Sequence, residues 1–179
     1  HGYWGGKFGG SHVAESLIFP IEELTKEFEK LRYDKKFIAE RDYYFENFVG
    51  APTPFIKLDN LTEHLGGAQI YCKLVSKATG GAHKAYNAVV HALIAKHLGK
   101  SYIGGDTGAG YAGKMLSMVA AKFNLKAKIF MGEKDIERQK INVFSMKSYG
   151  AEVVPVTTGS RTLVDAVSES MRWWTAENE

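Results

Sequence analysis

Two glycine-rich stretches, TGGAHK at residues 79–84 and DTGAGYAG at 106–113, each stand directly before a segment with helical apolar spacing. A glycine loop that runs into a helix leaves bare backbone N–H groups at the positive end of the helix dipole, and such an end binds an anion. Helix starts usually carry Ser, Thr, Asp or Asn as side-chain caps. The first stretch carries Gly80, Gly81, His83 and Lys84 instead. His83 adds a donor. Lys84 has two readings: a cation that neutralises an anion or lies in solvent, or a Schiff-base lysine held near an aldehyde cofactor whose phosphate is close by. Composition does not choose between them.

The second stretch matches G-x-G-x-x-G through Gly108, Gly110 and Gly113, and Glu133 follows about 20 residues on. With a strand expected before it and a helix after it, this meets the dinucleotide fingerprint, so an NAD-binding domain is one reading. A glycine turn needed for tight strand-to-helix packing is another. Asp106 weighs against a nucleotide, because a carboxylate there would repel pyrophosphate. An amino-acid substrate suits it better: the loop amides and the Thr107 hydroxyl would hold the substrate carboxylate, with Asp106 nearby as acid or base.

These loops need elements to position them. The apolar stripe Val89, Val90, Leu93 and Ile94 predicts a helix over 84–98 whose start aims Lys84. Beyond it, KSYIGG reads as a short strand, DTGAGYAG as a loop, 112–123 as a helix, KAKIFMG as a strand, 135–147 as a helix stopped by Gly150, AEVVPVT as a strand and 160–177 as a last helix. Alternating strands and helices imply parallel strands joined by right-handed crossovers, so the expected fold class is α/β, an open, mostly parallel sheet with flanking helices. Upstream, residues 1–12 read as glycine-rich and irregular. Residues 14–49 read as two amphipathic helices, with Ile21, Leu24, Phe28 and Leu31 at helical spacing. GAPTPFIKL breaks the second helix with two prolines and continues extended. AQIYCKLV, residues 68–75, alternates as a strand does, and Cys72 on it reads as a small buried hydrophobe. That makes about four strands, few for a sheet covered on both faces. Because the sequence also stops in or just after a helix, it is expected to be part of something larger.

A chain of 179 residues suffices for one domain with a sizeable core or two small ones. Its 23 basic and 20 acidic residues are interspersed and leave a net charge of +3, which makes no case for nucleic acid or a membrane surface. The single cysteine excludes an internal disulfide framework. No apolar run approaches the roughly 20 residues of a membrane span, and the start lacks the apolar core of a secretory signal. A reducing, cytoplasmic setting is therefore expected. His64, His91 and His97 have no ligand spacing, so no metal site is expected, and His97 suits the dipole in the last turn of its helix.

The segments ESL, DYYFENFVGAPTPF, LTEHLGGAQIY, TGGAHKAYNA, AKHLGK, DTGAGYAG, MGEKDIERQKINVFSMKSYGAEVVPVTTGSRTL and DAVSE carry a resemblance that runs nearly end to end. The sequence resembles the first half of the tryptophan synthase β subunit family, fold-type II pyridoxal-phosphate enzymes, and ERQ…NVF with GAEVVPVT is its most specific part. The resemblance implies a lyase with pyridoxal 5'-phosphate as cofactor, performing β-replacement that joins L-serine and indole to make L-tryptophan. It places Lys84 on the lysine that binds the cofactor covalently and then shuttles protons. His83 falls on the histidine beside the cofactor phosphate, and Asn87 within the asparagine pair after the lysine. Asp106 falls on the acid–base position, and Thr107, Gly108, Ala109 and Gly110 on the loop that holds the serine carboxylate. Arg138 falls on an arginine used in domain closure. The implied division is 1–98, a helical segment with the first strand and the cofactor-lysine helix, and 99–179, a βαβαβα subdomain of the communication type. The implied partners are a second chain completing the β fold, an α-like subunit, and further copies in an oligomer.

Several positions depart from that pattern. Asp106 stands where the family has Glu, and one methylene less withdraws the carboxylate by roughly an ångström, to which acid–base work is sensitive. Tyr111-Ala112 replace Gln-His, LVSKATGGAHK replaces REDLNHTGAHK, Tyr86 replaces an asparagine, and Val164 stands where many members have a lysine that contacts the α subunit. The family's second half, with its glycine-serine-asparagine phosphate cup and the group facing the pyridine nitrogen, is not in this sequence. These departures gather around the expected active site and support an alternative, a non-catalytic regulatory or scaffold subunit of such a complex.

Overall fold

The computed structural model describes residues 3–177 apart from 5, 7 and 11. A short antiparallel pair, β1 (Tyr3–Trp4) with β2 (Phe8–Gly9), opens it. The irregular start expected over 1–12 thus holds two short paired strands, and the rest of that expectation lies partly outside the described residues. Helices α1 (Ile18–Leu31) and α2 (Lys35–Tyr44) follow, and α2 runs on into a π-helical turn, Phe45–Val49, closed by Gly50 at φ +87°. Asp34 caps α2 by accepting from the Lys36 and Phe37 amides at 2.7 and 3.1 Å. Of the expected α1 stripe, Leu31 is buried and Ile21 half-buried, while Leu24 and Phe28 are exposed.

Strand β3 (Phe55–Lys57) pairs antiparallel with β4 (Tyr71–Lys73), and α3 (Asp59–Leu65) connects them. The strand expected over 68–75 is therefore three residues long and belongs to a separate two-stranded sheet. Cys72 sits opposite Ile56 in it, half-buried rather than buried, because no second layer covers this pair.

Next come α4 (Lys84–His97), β5 (Tyr102–Thr107), α5 (Tyr111–Phe123), β6 (Lys126–Gly132), α6 (Glu133–Arg138), α7 (Lys140–Ser148), β7 (Glu152–Val156) and α8 (Leu163–Ala176). The main sheet is parallel, three-stranded and ordered β5-β6-β7, with Thr107 opposite Met131 and Gly132 opposite Val156. It has three strands and not four, since the fourth expected strand is β4. Central β6 buries Ala127, Ile129, Phe130, Met131 and Gly132, an apolar run that fits a strand covered on both faces. Neighbouring strand residues point to opposite faces. Trp173 of α8 packs where a Cβ on Gly104 would stand, and Leu116 of α5 lies 3.1 Å from the Cβ position of Gly105. Helices α5 and α8 therefore cover opposite faces, and α7 packs beside α5.

The helix expected over 135–147 is two helices. Gln139, at φ −116° and ψ 36°, leaves helical geometry and turns the chain between α6 and α7. Gly150 ends α7 at φ +83°, as expected. The last helix starts at Leu163 rather than 160, because Thr162 and Asp165 form a reciprocal capping box. One continuous core joins Leu31 and Phe37 to Val89 and Leu93 of α4, Met115 and Val119 of α5, Ile129 and Met131 of β6, and Met146 of α7. On the other face Phe130, Val156 and Ala166 form a smaller cluster with Trp173 against it.

Candidate active site

The start of α4 is built from both sides. Thr79 donates its backbone N–H to the Val49 carbonyl at 2.8 Å and its hydroxyl to the Phe48 carbonyl at 2.6 Å, so the π-helical turn anchors the loop. Gly80 and Gly81 follow at φ +84° and +87°. Two consecutive left-handed residues explain the glycine pair, because an L side chain rarely adopts that backbone. His83 occupies the cap position with no side-chain cap bond, and Lys84 is the first helical residue. His83, Lys84 and Asn87 are exposed, while Ala85, Ala88, Val89, Ala92 and Leu93 bury the opposite side of the helix. The Lys84 amine has no partner among the described residues. Uncapped amides, a histidine donor and a free amine suit a phosphate-bearing aldehyde, and this side of such a group is the one these residues fit.

Asp106 and Thr107 are the last residues of β5, not part of the loop, and strand alternation sends them apart. Thr107 is buried, and its Oγ1 accepts from the Gly113 N–H at 3.3 Å. The Thr107 hydroxyl, expected at a substrate carboxylate, is engaged here within the sheet–α5 packing, and the amides of 108–110 follow it in the loop. Asp106 lies on the α8 side, with its Oδ1 3.3 Å from the Ser170 hydroxyl, whose single proton also has the Val167 carbonyl as acceptor at 3.0 Å. It borders a cleft of about 400 Å³ between α1, α4, β5 and α8, with His91, Ser170 and Trp173 on the walls.

Two of the three loop glycines have neighbours that exclude a side chain, and the third is closely approached. A Cβ on Gly108 would lie 3.3 Å from Leu163. Gly110 sits at φ +86°, with its Cβ position 2.6 Å from Asn142, and Gly113 is hemmed in by Met146, Ile129 and Thr107. Asn142 also donates to the Ala109 carbonyl at 2.8 Å and so pins the loop to α7. Sequence reasoning missed this residue. The two glycine loops meet through Tyr111, whose hydroxyl donates to the Gly80 carbonyl at 2.9 Å. Arg138 is not brought to either loop: its exposed guanidinium lies 3.7 Å from Asp135 one turn back. Glu133, the acid of the dinucleotide pattern, accepts from Arg161 at 3.0 Å.

An α/β sheet with two glycine-headed helices and an uncapped lysine at its carboxyl end defines the class. Residues 47–177 match the family described as Pyridoxal-phosphate dependent enzyme, and the chain belongs to it. The fold agrees: a pyridoxal 5'-phosphate-dependent aspartate racemase superposes with a TM-score of 0.61 over 88% of this chain at 15% identity, and serine racemase from Dictyostelium discoideum with 0.62 over 79% at 17%. More particularly, the chain is 47% identical over 169 residues to tryptophan synthase beta chains of Xanthomonas oryzae pv. oryzae and of Xanthomonas euvesicatoria pv. vesicatoria. The match covers 94% of this chain and 42% of those relatives. The glycine pattern is therefore the packing turn of a pyridoxal-phosphate family member, and the dinucleotide reading is set aside.

Proposed function

We propose that this chain carries the lysine-bearing portion of a pyridoxal-phosphate-dependent lyase of the tryptophan synthase β type, which joins L-serine and indole to make L-tryptophan. The observation behind the reading is the junction of the two glycine loops at Tyr111 and Gly80, in a chain 47% identical to tryptophan synthase beta chains. When bound, pyridoxal 5'-phosphate supplies an electron sink for the substrate's reacting carbon. Lys84 would hold the cofactor's aldehyde carbon and afterwards move a proton, while His83 and the open start of α4 would face its phosphate. Asn87 lies on the same exposed side of α4. The amides of Gly108, Ala109 and Gly110 would orient the substrate carboxylate, and the Asp106 carboxylate would hold or release a proton. Residues 99–179 would act as the closing subdomain, with Arg138 engaged on closure.

The opposite wall would come from further sequence or a second chain. Ile141 and Phe144 on α7 are 82% and 73% exposed, apolar surface of the kind that another chain covers. An α-like subunit and a cytoplasmic setting belong to the same reading. Among the described residues no helix is long and apolar enough to cross a membrane. The test is uptake of pyridoxal 5'-phosphate, read as the visible absorbance of a lysine Schiff base. Lys84→Ala is expected to abolish the band. A wild-type protein that never takes up the cofactor, alone or with a co-purifying chain, would sink the reading.

A second reading is a non-catalytic subunit. It draws on Asp106, a short carboxylate beside Ser170 on the sheet face away from Thr107. Lys84→Ala protein that still stimulates an intact relative's activity would support it. Loss of that stimulation with the lysine would refute it.

A further inference from the structure

We infer that Tyr111 is a positioning residue: its hydroxyl seats the Gly80–His83 turn, and with it Lys84, on the first turn of α5, so that the two glycine loops hold one another in place. What the loops bind rests on the functional reading above; the tie itself does not. Tyr111 is the first residue of α5, and its hydroxyl reaches the Gly80 carbonyl at 2.9 Å across 31 residues of sequence. Shape adds to the bond. A Cβ on Gly80 would collide with Met115 of α5 and lie 3.3 Å from the Tyr111 oxygen, so the turn is pressed closely against that helix.

The other end of the turn is anchored independently, through Thr79 and the carbonyls of Phe48 and Val49. Removing the hydroxyl leaves that anchor and the Met115 contact but takes away the hydrogen bond that ties the stretch before Lys84 to α5. Burial pushes the Tyr111 pKa above its usual value, so the group keeps its proton and remains a donor through the neutral range. The Lys114 amine, 5.5 Å from the ring centroid, holds the ring from the α5 side.

The tie is tested by hydrogen–deuterium exchange on the full chain, comparing wild type with Tyr111→Phe, which keeps the ring, and Tyr111→Gln, whose side chain is too short to reach Gly80. One hydrogen bond of ordinary net strength changes a local opening equilibrium by a factor of about five. The amides of Gly81, which donates to the Ala78 carbonyl, and Ala82, which bonds the Tyr111 oxygen, are expected to exchange about five times faster in both variants. Those of Ile129–Met131 in the central strand are expected to stay unchanged. Unaltered exchange at Gly81 and Ala82, or an equal increase in the central strand, would overturn the inference. In the same samples, uptake of pyridoxal 5'-phosphate should weaken by a similar factor. Unchanged uptake beside faster exchange would overturn the positioning role. A wild type that takes up no cofactor would count against the functional reading, while the exchange comparison would still decide the tie.

Discussion

Gly113 lies where α5 packs on the sheet, and a methyl group there would stand 2.7 Å from the Met146 sulfur, 2.8 Å from Ile129 and 3.0 Å from Thr107. None of these can retreat freely in a core without voids. Gly113→Ala is therefore expected to destabilise the protein by about 1–3 kcal/mol, which calorimetry would record as a melting point lower by roughly 2–12 °C. Asn142→Ala has a different signature. It removes the donor to the Ala109 carbonyl, so melting is expected to fall by only a few degrees for about 1 kcal/mol. If the loop amides bind substrate, affinity for L-serine should fall by more than that loss of stability suggests, which a titration would reveal. The two loops could be read from the sequence because glycines stand where a helix start usually carries a side-chain cap, whereas the role of Lys84 came only with the family resemblance. Tyr111 and Asn142 could not: their partners are 31 and 33 residues away, and nothing local to either residue announces them.

The elements themselves followed from pattern where burial is one-sided and failed where a tertiary contact decides. Helix α4 and strand β6 carry apolar runs long enough to be unambiguous. The break at Gln139 falls between two stretches that both continue helical spacing, and the short β4 was overestimated because alternation alone does not say where pairing stops. Caps are the more local signal, and α8 shows what one contributes. The Asp165 carboxylate accepts from the Ser160 hydroxyl at 2.6 Å and more weakly from the Thr162 amide at 3.5 Å, and these contacts hold its pKa below the ordinary 3.8. Folding thus favours the charged form. The stabilisation is complete above the unfolded value of 3.8 and is lost as pH falls through the lower folded value. In melting curves across pH, the gap between wild type and Asp165→Ala should be constant above about pH 5 and close progressively below it. A gap that widened on acidification would contradict the assignment. Asp34, lowered by the Phe37 and Lys36 amides at the start of α2, should behave in the same way.

At the scale of the whole molecule, the proposed division at residues 98 and 99 meets a core that does not stop there. Leu93, fully buried on α4, belongs to the cluster that also holds Met115, Ile129 and Met146 from the later part of the chain. The helix that carries Lys84 and the sheet that carries the second loop therefore share one apolar interior. Any closing motion of residues 99–179 would have to slide this packing or bend the sheet, since there is no hinge of exposed linker between α4 and β5 beyond residues 98–101. Shared packing predicts shared unfolding. Leu93→Ala should cost about 2–5 kcal/mol, because it removes most of a buried side chain that neighbours can only partly replace. In a Trp4→Phe background, tryptophan fluorescence reports from Trp173 and Trp174 of α8, and far-UV dichroism reports on all the helices. Both signals should move together to a lower midpoint in the variant. A tryptophan transition left at its wild-type temperature while the helical signal shifted would mean that the two portions unfold as separate units, and the two glycine loops would then be held together by Tyr111 rather than by a common core.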